Sequence, residues 1–155
     1  MKKVFAVLLL LIGCAVFAYA AEIGKDGNFV AYDDGTVLDK KTGLMWAAKD
    51  NGKDINYAEA KKYCESYKGG GYSGWRMPTQ SELQALGGGS KFFKTACGYE
   101  AYLTKLIGVS CVFVWAADTF GNEAASFYFG PDGGQEFMVK QSTTKNYRAL
   151  PVRNK

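Results

Sequence analysis

Three cysteines that follow the N-terminal segment are the residues best suited to redox chemistry: Cys64, Cys97 and Cys111. In an oxidising compartment, three thiols allow one disulfide and leave one cysteine over. We predict a bond between Cys97 and Cys111, because they bracket one compact segment and closing a loop of that size contributes about 3 kcal/mol in the chain-entropy model. Cys64 falls on the apolar side of a predicted helix, where a free thiol behaves as a small hydrophobic side chain. A bond from Cys64 to either of the other two stays open.

Histidine is absent from the sequence. Its absence removes the commonest general base, metal ligand and member of hydrolase triads. Three dispersed cysteines do not make a four-thiolate zinc site, and a cysteine nucleophile activated by histidine is impossible. We therefore predict no catalytic residue, no metal ligand and no cofactor.

Oxygen-bearing side chains recur in one short stretch that contains Asp50, Asn51, Asp54 and Asn56. Such a cluster can hold calcium, which prefers carboxylate and amide oxygens. The stretch lacks the twelve-residue loop and the terminal glutamate of an EF-hand. We favour a solvated loop that ends in the cap of a helix, and calcium at Asp50 and Asp54 stays open.

The best candidate for a recognition surface is a segment that carries one aromatic ring, one amide and two acids between two predicted strands. Recognition residues concentrate on loops that a rigid scaffold positions. We predict that this loop contacts a ligand, and an ordinary polar turn is the alternative. The predicted contact residues are Asp118, Thr119, Phe120, Asn122 and Glu123.

The motif Trp75-Arg76-Met77-Pro78-Thr79 allows a functional and a structural interpretation. An arginine beside an aromatic ring can bind a carboxylate or a sulfate. We favour the structural interpretation, in which Trp75 packs in the core and Arg76 joins an internal ion pair with an acid such as Glu82.

Short apolar runs separated by turn residues predict several strands. These strands are expected at 29–32, 36–39, 44–47, 112–117, 124–129, 135–139 and 147–152. Trp46 and Trp115 fall in two of them and are predicted to be core residues. The glycine-rich segment 130–134 is predicted to be a turn.

Two helices are predicted between the two groups of strands. The first has an apolar face at helical spacing, formed by Tyr57, Ala60, Cys64 and Tyr67. Asn56 is its predicted N-cap, and a capping box of Thr79 and Glu82 begins the second helix directly after Pro78. A third short helix is expected at 99–106. Strands, then helices, then strands predict an α+β fold with helices beside an antiparallel sheet.

The first twenty residues match a signal peptide. Two lysines give the positive start, an apolar stretch follows, and Ala18-Tyr19-Ala20 supplies the small-x-small cleavage pattern. We predict export, with 1–20 as the signal peptide and 21–155 as a single domain. The run Leu11-Ile12-Gly13-Cys14 also matches a lipobox, so lipidation of Cys14 and a membrane tether are the alternative.

Cleavage after residue 20 lowers the net charge from +4 to +2, because 17 basic and 15 acidic residues remain. The remaining charges are interspersed, whereas nucleic-acid binding needs a basic stripe. We therefore predict no nucleic-acid partner, and membrane contact only through a lipid at Cys14.

Several stretches, in this order, resemble one family. They are Asp33–Asp39, Lys41–Trp46, Ala58–Cys64, Trp75–Leu83, Trp115 and Arg148–Arg153. Together they resemble the domain at the C-terminus of the Legionella collagen-like adhesin, the Lcl C-terminal domain family, from about Phe29 to Arg153. The sequence departs from the family at Gly74, where an aspartate commonly stands, and at Ala149-Leu150-Pro151, which replaces a closing segment that often contains cysteine. The second departure leaves Cys64 without an obvious family partner.

The resemblance implies a C-type-lectin-like fold, similar to that of the formylglycine-generating enzyme group. In such folds the two chain ends meet in one sheet, and a loop-rich second half carries the ligand. The resemblance also implies a place in the envelope or outside the cell, and glycan binding in the adhesin relative. The Glu-Pro-Asn and Trp-Asn-Asp calcium motifs of true C-type lectins are absent from this sequence.

We therefore predict an exported binding module, not an enzyme, that recognises a glycan or a surface protein through its loops. Two alternatives stay open. The first is a formylglycine-generating type of oxidase, which would need Cys97 and Cys111 as a reactive, copper-binding pair. The second is a structural component of an envelope assembly.

Overall fold

The computed structural model describes residues 20–87, 91–132 and 134–155, so the predicted signal peptide and Cys14 lie outside the described residues. The described elements, in chain order, are β1 (Glu22–Asp26), β2 (Phe29–Tyr32), β3 (Thr36–Asp39), β4 (Leu44–Ala47), α1 (Tyr57–Ser66), α2 (Gln80–Leu86), β5 (Phe93–Lys94), β6 (Glu100–Ala101), β7 (Phe113–Phe120), β8 (Glu123–Tyr128), β9 (Gln135–Lys140), β10 (Tyr147–Arg148) and β11 (Val152–Asn154). A single 3₁₀ turn, Gly69–Gly71, separates the helices. The α+β class is confirmed.

The first sheet contains both the earliest and the latest strands. Its order is β1-β2-β3-β4-β11, and every neighbouring pair is antiparallel. The predicted strands 29–32, 36–39 and 44–47 are confirmed. β11 pairs with β4 by placing Val152 opposite Trp46. The two ends of the described domain therefore meet in one sheet, as the resemblance implies.

The second sheet has the order β10-β7-β8-β9. β7, β8 and β9 form an antiparallel meander, and β10 pairs with β7 in parallel, which the sequence did not predict. The single strand predicted at 147–152 is wrong, because the chain leaves the second sheet after Arg148 and joins the first at Val152. The segment between β10 and β11 is held by Asn51, whose side-chain oxygen accepts a hydrogen bond from the Ala149 amide at 2.8 Å. Pro151 has no amide proton, and its carbonyl accepts from Ala47.

The helix predicted at 99–106 is also wrong. β6 pairs with β5 in a small two-stranded sheet at Glu100–Ala101, and Leu103 forms an isolated bridge with Gly87. The Tyr102 amide donates to the Phe129 carbonyl at 2.8 Å. Bonds to β5, Gly87 and Phe129 therefore satisfy backbone groups that a helix would have bonded internally.

The two predicted helices begin at their predicted caps. The Asn56 side chain accepts from the Glu59 amide at 3.0 Å. Thr79 and Glu82 form the reciprocal capping box, with the Thr79 amide donating to the Glu82 carboxylate at 2.8 Å. Each helix buries one face, formed by Ala60 and Cys64 in α1 and by Leu83 and Leu86 in α2.

Aromatic side chains dominate the core. The largest fully buried side chains include Trp46, Trp115, Phe127 and Phe129, so the prediction that Trp46 and Trp115 are core residues is confirmed. One apolar cluster fills the space between the two sheets and α2. A second cluster packs α1 against the second sheet around Trp115.

Candidate ligand-binding hairpin

The predicted recognition loop 118–123 is the end of a β-hairpin. β7 continues to Phe120, residues 121 and 122 form the turn, and β8 begins at Glu123. Phe120 and Glu123 lie opposite each other across the two strands. Gly121 has a φ of +59°, which glycine adopts without strain at the first position of a two-residue hairpin turn. The predicted loop is therefore shorter than expected, a two-residue turn, because strand pairing continues to Phe120 and Glu123.

The hairpin tip is held in place by Gln141. Its backbone amide donates to the Asn122 carbonyl at 3.1 Å. Its side-chain amide donates to the carbonyls of Gly121 and Glu123, both at 3.3 Å. Three consecutive carbonyls of the tip are thus bonded to one residue, so the tip has little backbone freedom to lose when a ligand binds.

Side chains at the tip point away from the body of the protein. Phe120 is 81 % exposed, the largest exposed fraction among the large hydrophobic side chains that the structure describes. Within the described residues, the side chains of Thr119, Asn122 and Glu123 make no hydrogen bond or ion pair to the protein. Glu123 lies opposite Phe120 and shares its face of the hairpin, whereas Thr119 points to the other face.

Asp118 has a different role from the other predicted contact residues. It lies in a bulge of β7, where the register with β8 shifts between Trp115 and Thr119. Its carboxylate accepts from the Gln80 amide in the first turn of α2, at 2.8 Å. This bond satisfies a helix N-terminal amide that would otherwise lack a partner. Asp118 therefore positions the hairpin on α2.

The same bulge contacts both helical regions. The Ala117 amide donates to the Pro78 carbonyl at 2.7 Å, and the Tyr57 hydroxyl of α1 donates to the Ala117 carbonyl at 3.0 Å. Bulges commonly redirect a strand next to a functional site. The contributions of Tyr57 and Gln141 were missed at the sequence level, because hydrogen bonds between distant segments leave no local pattern.

The predicted disulfide between Cys97 and Cys111 is confirmed. Cys111 is fully buried, and Cys97 packs against the main core. Cys64 is free and buried in α1, and burial raises the pKa of its thiol to about 12. The Cys64 thiol therefore stays protonated and unreactive at neutral pH.

The Trp75–Thr79 motif has the structural role that we favoured. Arg76 forms a bidentate ion pair with Glu82, with N–O distances of 2.6 and 2.7 Å. The hydrogen bond from Arg76 holds the pKa of the Glu82 carboxyl below its ordinary value of 4.5. Trp75 is buried and packs edge-on against Tyr67, with ring centroids 4.9 Å apart.

The oxygen-rich stretch after β4 is exposed at 52–54 and ends in the predicted cap, Asn56, but Asp50 is buried rather than solvated. The Asp50 side chain is 3 % exposed and faces Arg148, whose side chain is 8 % exposed, with Nε and Oδ2 3.8 Å apart. Asp50 also accepts hydrogen bonds from the amide and hydroxyl of Ser110, at 2.7 and 2.9 Å. Arg148 donates to Asp54 at 2.6 Å. These carboxylate oxygens bond to the protein itself. The ion pair between Arg148 and Asp54 could not be predicted from the sequence, because the two residues are 94 positions apart and no local pattern connects them.

The comparison with protein families identifies the class of domain. The family model described as the Lcl C-terminal domain matches residues 35–153, which include both helices, the disulfide and the hairpin tip. The chain therefore belongs to the Lcl C-terminal domain family, and the predicted resemblance is confirmed. This membership supports an adhesin-like extracellular domain.

Neither of the other two comparisons adds a relative. The chain has no match among the curated proteins or the solved structures compared with it, so the C-type-lectin-like fold stays a prediction. Across the described residues, no helix is both long enough and apolar enough to cross a membrane.

Proposed function

We propose that this protein is an exported binding module that recognises a glycan through the tip of the β7–β8 hairpin, residues 119–123. The observation that carries the proposal is the 81 % exposed ring of Phe120 on a backbone that Gln141 holds in place. A ligand that covers this ring gains the free energy of removing its apolar surface from water. The predicted signal peptide and the disulfide between Cys97 and Cys111 support an oxidising compartment outside the cytoplasm.

The chemistry of the tip suits a sugar. The ring of Phe120 offers an apolar face to the C–H groups of a pyranose. On the same face of the hairpin the Glu123 carboxylate accepts from sugar hydroxyls, the Asn122 amide at the turn supplies a donor and an acceptor, and the Thr119 hydroxyl is available to a ligand that extends around the tip. This mode of binding needs no metal ion. A surface protein docked on the same tip is the second candidate ligand, because exposed aromatic rings also anchor protein interfaces.

The first experiment is a screen of the purified protein against neutral and sulfated glycans at physiological salt. A ligand from the screen is then titrated against the Phe120→Ala variant. Burying a phenylalanine side chain is worth about 1.5–3 kcal/mol, so we expect affinity to fall by between about tenfold and a hundredfold. Tyr99→Ala is the matched control, because Tyr99 is a half-exposed aromatic residue outside the hairpin.

Two results would contradict the proposal. Equal affinity of the Phe120→Ala variant and the unmodified protein would place the ligand elsewhere. Absence of binding to every glycan in the screen would instead favour a structural component of an envelope assembly, or a protein ligand. The oxidase alternative has no support from the thiols, because Cys97 and Cys111 are bonded to each other.

Export and lipidation are tested separately. Intact mass of the native protein distinguishes cleavage after Ala20 from a lipid-modified N-terminus at Cys14. We expect the mass of residues 21–155 with one disulfide. A mass equal to that of a chain starting at Cys14 and carrying acyl groups would instead establish a membrane tether.

A further inference from the structure

β9 is the outer strand of the second sheet, and one of its edges faces solvent. It pairs with β8 over six consecutive residue pairs without a register shift. On an edge strand, the backbone N–H and C=O groups that point away from the sheet lack strand partners. Among the described residues, the hydrogen bonds outside the strand ladders include none from 135–139.

The other edges in the described sheets are protected, whereas β9 is not. β1 has a register shift between Glu22 and Gly24, which distorts its edge. β10 has only two residues, and β11 has three. Val152 of β11 is also bonded to Arg76 in an isolated bridge. β9 is therefore the longest regular open edge in the described part of the chain.

β9 also exposes apolar side chains, which is unusual for an edge strand without a partner. Phe137 is 37 % exposed and Met138 is 43 % exposed. The Phe137 ring is held by the rings of Phe113 and Tyr128, with centroids 6.1 and 6.5 Å away. Successive side chains on a strand point to opposite faces, so each face of the edge exposes one apolar side chain, and Met138 lies between the charged residues Glu136 and Lys140.

The sequence of β9 is complementary to itself when it is reversed. Antiparallel pairing with an identical strand, centred on Met138, places Glu136 opposite Lys140 of the second copy and Phe137 opposite Val139 of the second copy. The two-fold axis generates each of these pairs twice. Opposite charges and aromatic–branched pairs directly across two strands are both stabilising. A shift by one residue in either direction removes the charge pair.

We propose that two copies of this protein associate through β9, in antiparallel register centred on Met138, so that their two four-stranded sheets form one continuous sheet. The interface is isologous, since each copy supplies the same patch. It is also small, because one six-residue strand from each copy buries less than a standard interface, so the dimer forms weakly. Lys140 already faces Glu123 of its own chain, so in the dimer it lies between two carboxylates.

The test uses charge reversal and sedimentation equilibrium. The unmodified protein, from about 1 μM to 1 mM, should show a reversible monomer–dimer equilibrium. Glu136→Lys and Lys140→Glu each place like charges opposite each other, so each variant alone should dimerise at least about tenfold more weakly. Lys62→Glu, an equal change of charge on the exposed face of α1, is the matched control and should dimerise normally.

Mixing the two variants distinguishes this register from any other. In an equimolar mixture, a Glu136→Lys copy contributes two lysines at the charged positions and a Lys140→Glu copy contributes two glutamates. Both cross-strand pairs of the mixed dimer then join a lysine to a glutamate, so dimerisation should return as a heterodimer. The double variant that carries both changes should also dimerise, because reversing both charges preserves both charge pairs between the two copies. Circular dichroism and thermal unfolding of each variant confirm that it is folded.

Three outcomes would overturn the proposal. They are a monomer throughout the concentration range, a dimer that neither charge reversal weakens, and a mixture that stays monomeric. The experiment measures mass in the absence of any glycan, so its result is independent of whether the hairpin binds a sugar.

Discussion

Replacing Arg148 by methionine tests the buried ion-pair network that connects the two halves of the chain. Arg148 donates to the Ser110 hydroxyl and to Asp54, both at 2.6 Å, and lies 3.8 Å from Asp50. Methionine keeps most of the apolar stem of arginine but removes its charge and donors. Asp50 would then be a carboxylate that is 3 % exposed, without its cation.

The expected loss of unfolding free energy follows from the burial of Asp50. Removing one partner of a buried ion pair costs about 3–5 kcal/mol, because the other charge stays buried. Asp50 retains its hydrogen bonds from Gly52 and Ser110, which places the cost at the lower end, about 3 kcal/mol. Asp54 is 48 % exposed, so its bond with Arg148 contributes only about 1 kcal/mol or less.

The assay is urea unfolding monitored by the fluorescence of the three tryptophans, with Asp54→Asn as the matched control. We expect Arg148→Met to lower the free energy of unfolding by about 3 kcal/mol, and Asp54→Asn to lower it by less than about 1 kcal/mol. Equal values for the two variants, or a loss below about 1 kcal/mol for Arg148→Met, would refute the idea that Arg148 chiefly compensates buried Asp50.

Three further predictions concern other described contacts. The hydrogen bond from Arg76 lowers the pKa of Glu82 in the folded state below 4.5. The stability that this ion pair contributes is therefore complete above pH 4.5 and is lost as the pH falls through the folded pKa. Chemical denaturation between neutral and acidic pH should show that the Glu82→Gln variant loses less stability in acid than the unmodified protein does. Replacing Cys97 and Cys111 together by alanine should lower the free energy of unfolding by about 3 kcal/mol, and an unchanged denaturation midpoint would contradict a stabilising bond. Since burial raises the pKa of Cys64 to about 12, alkylating reagents at pH 8 should modify it only after unfolding, and rapid labelling of the native protein would contradict its burial.

Local signals predicted the elements whose ends are set by neighbouring residues. The capping residues Asn56 and Thr79 were identifiable because each acts on an amide three positions away. The first three predicted strands were bounded by turns at Gly35 and Gly43, both of which have positive φ. The disulfide was predicted for a similar reason, since its cysteines are 14 positions apart.

Features that depend on distant segments could not be predicted in the same way. The helix expected at 99–106 is absent because β5, Gly87 and Phe129 satisfy its backbone. Arg148 and Asp54 are 94 positions apart, and no periodic pattern connects them. A solvated loop was the reasonable expectation for Asp50, because an aspartate is rarely buried without a partner and that partner was not visible.

The structure of the candidate segment 118–123 differs from the sequence-based expectation, while its role as a ligand-binding site stays a prediction. Turn residues between 118 and 123 suggested a loop, whereas pairing of Phe120 with Glu123 extends the hairpin to its last two residues. The difference matters for the proposed binding, because a paired tip is already in place before a ligand arrives.

The position of β11 has a consequence for how the molecule acquires its shape. Val152 exchanges two backbone hydrogen bonds with Arg76, at 2.9 and 3.0 Å, and the Pro151 carbonyl receives the Ala47 amide at 2.9 Å. Leu150 and Val152 are fully buried in the main cluster. The centre of the described domain is thus completed by its last strand, after every other strand and both helices. Without these residues the first sheet lacks its fifth strand and the main cluster lacks two fully buried side chains, so cooperative folding of the domain requires its final segment.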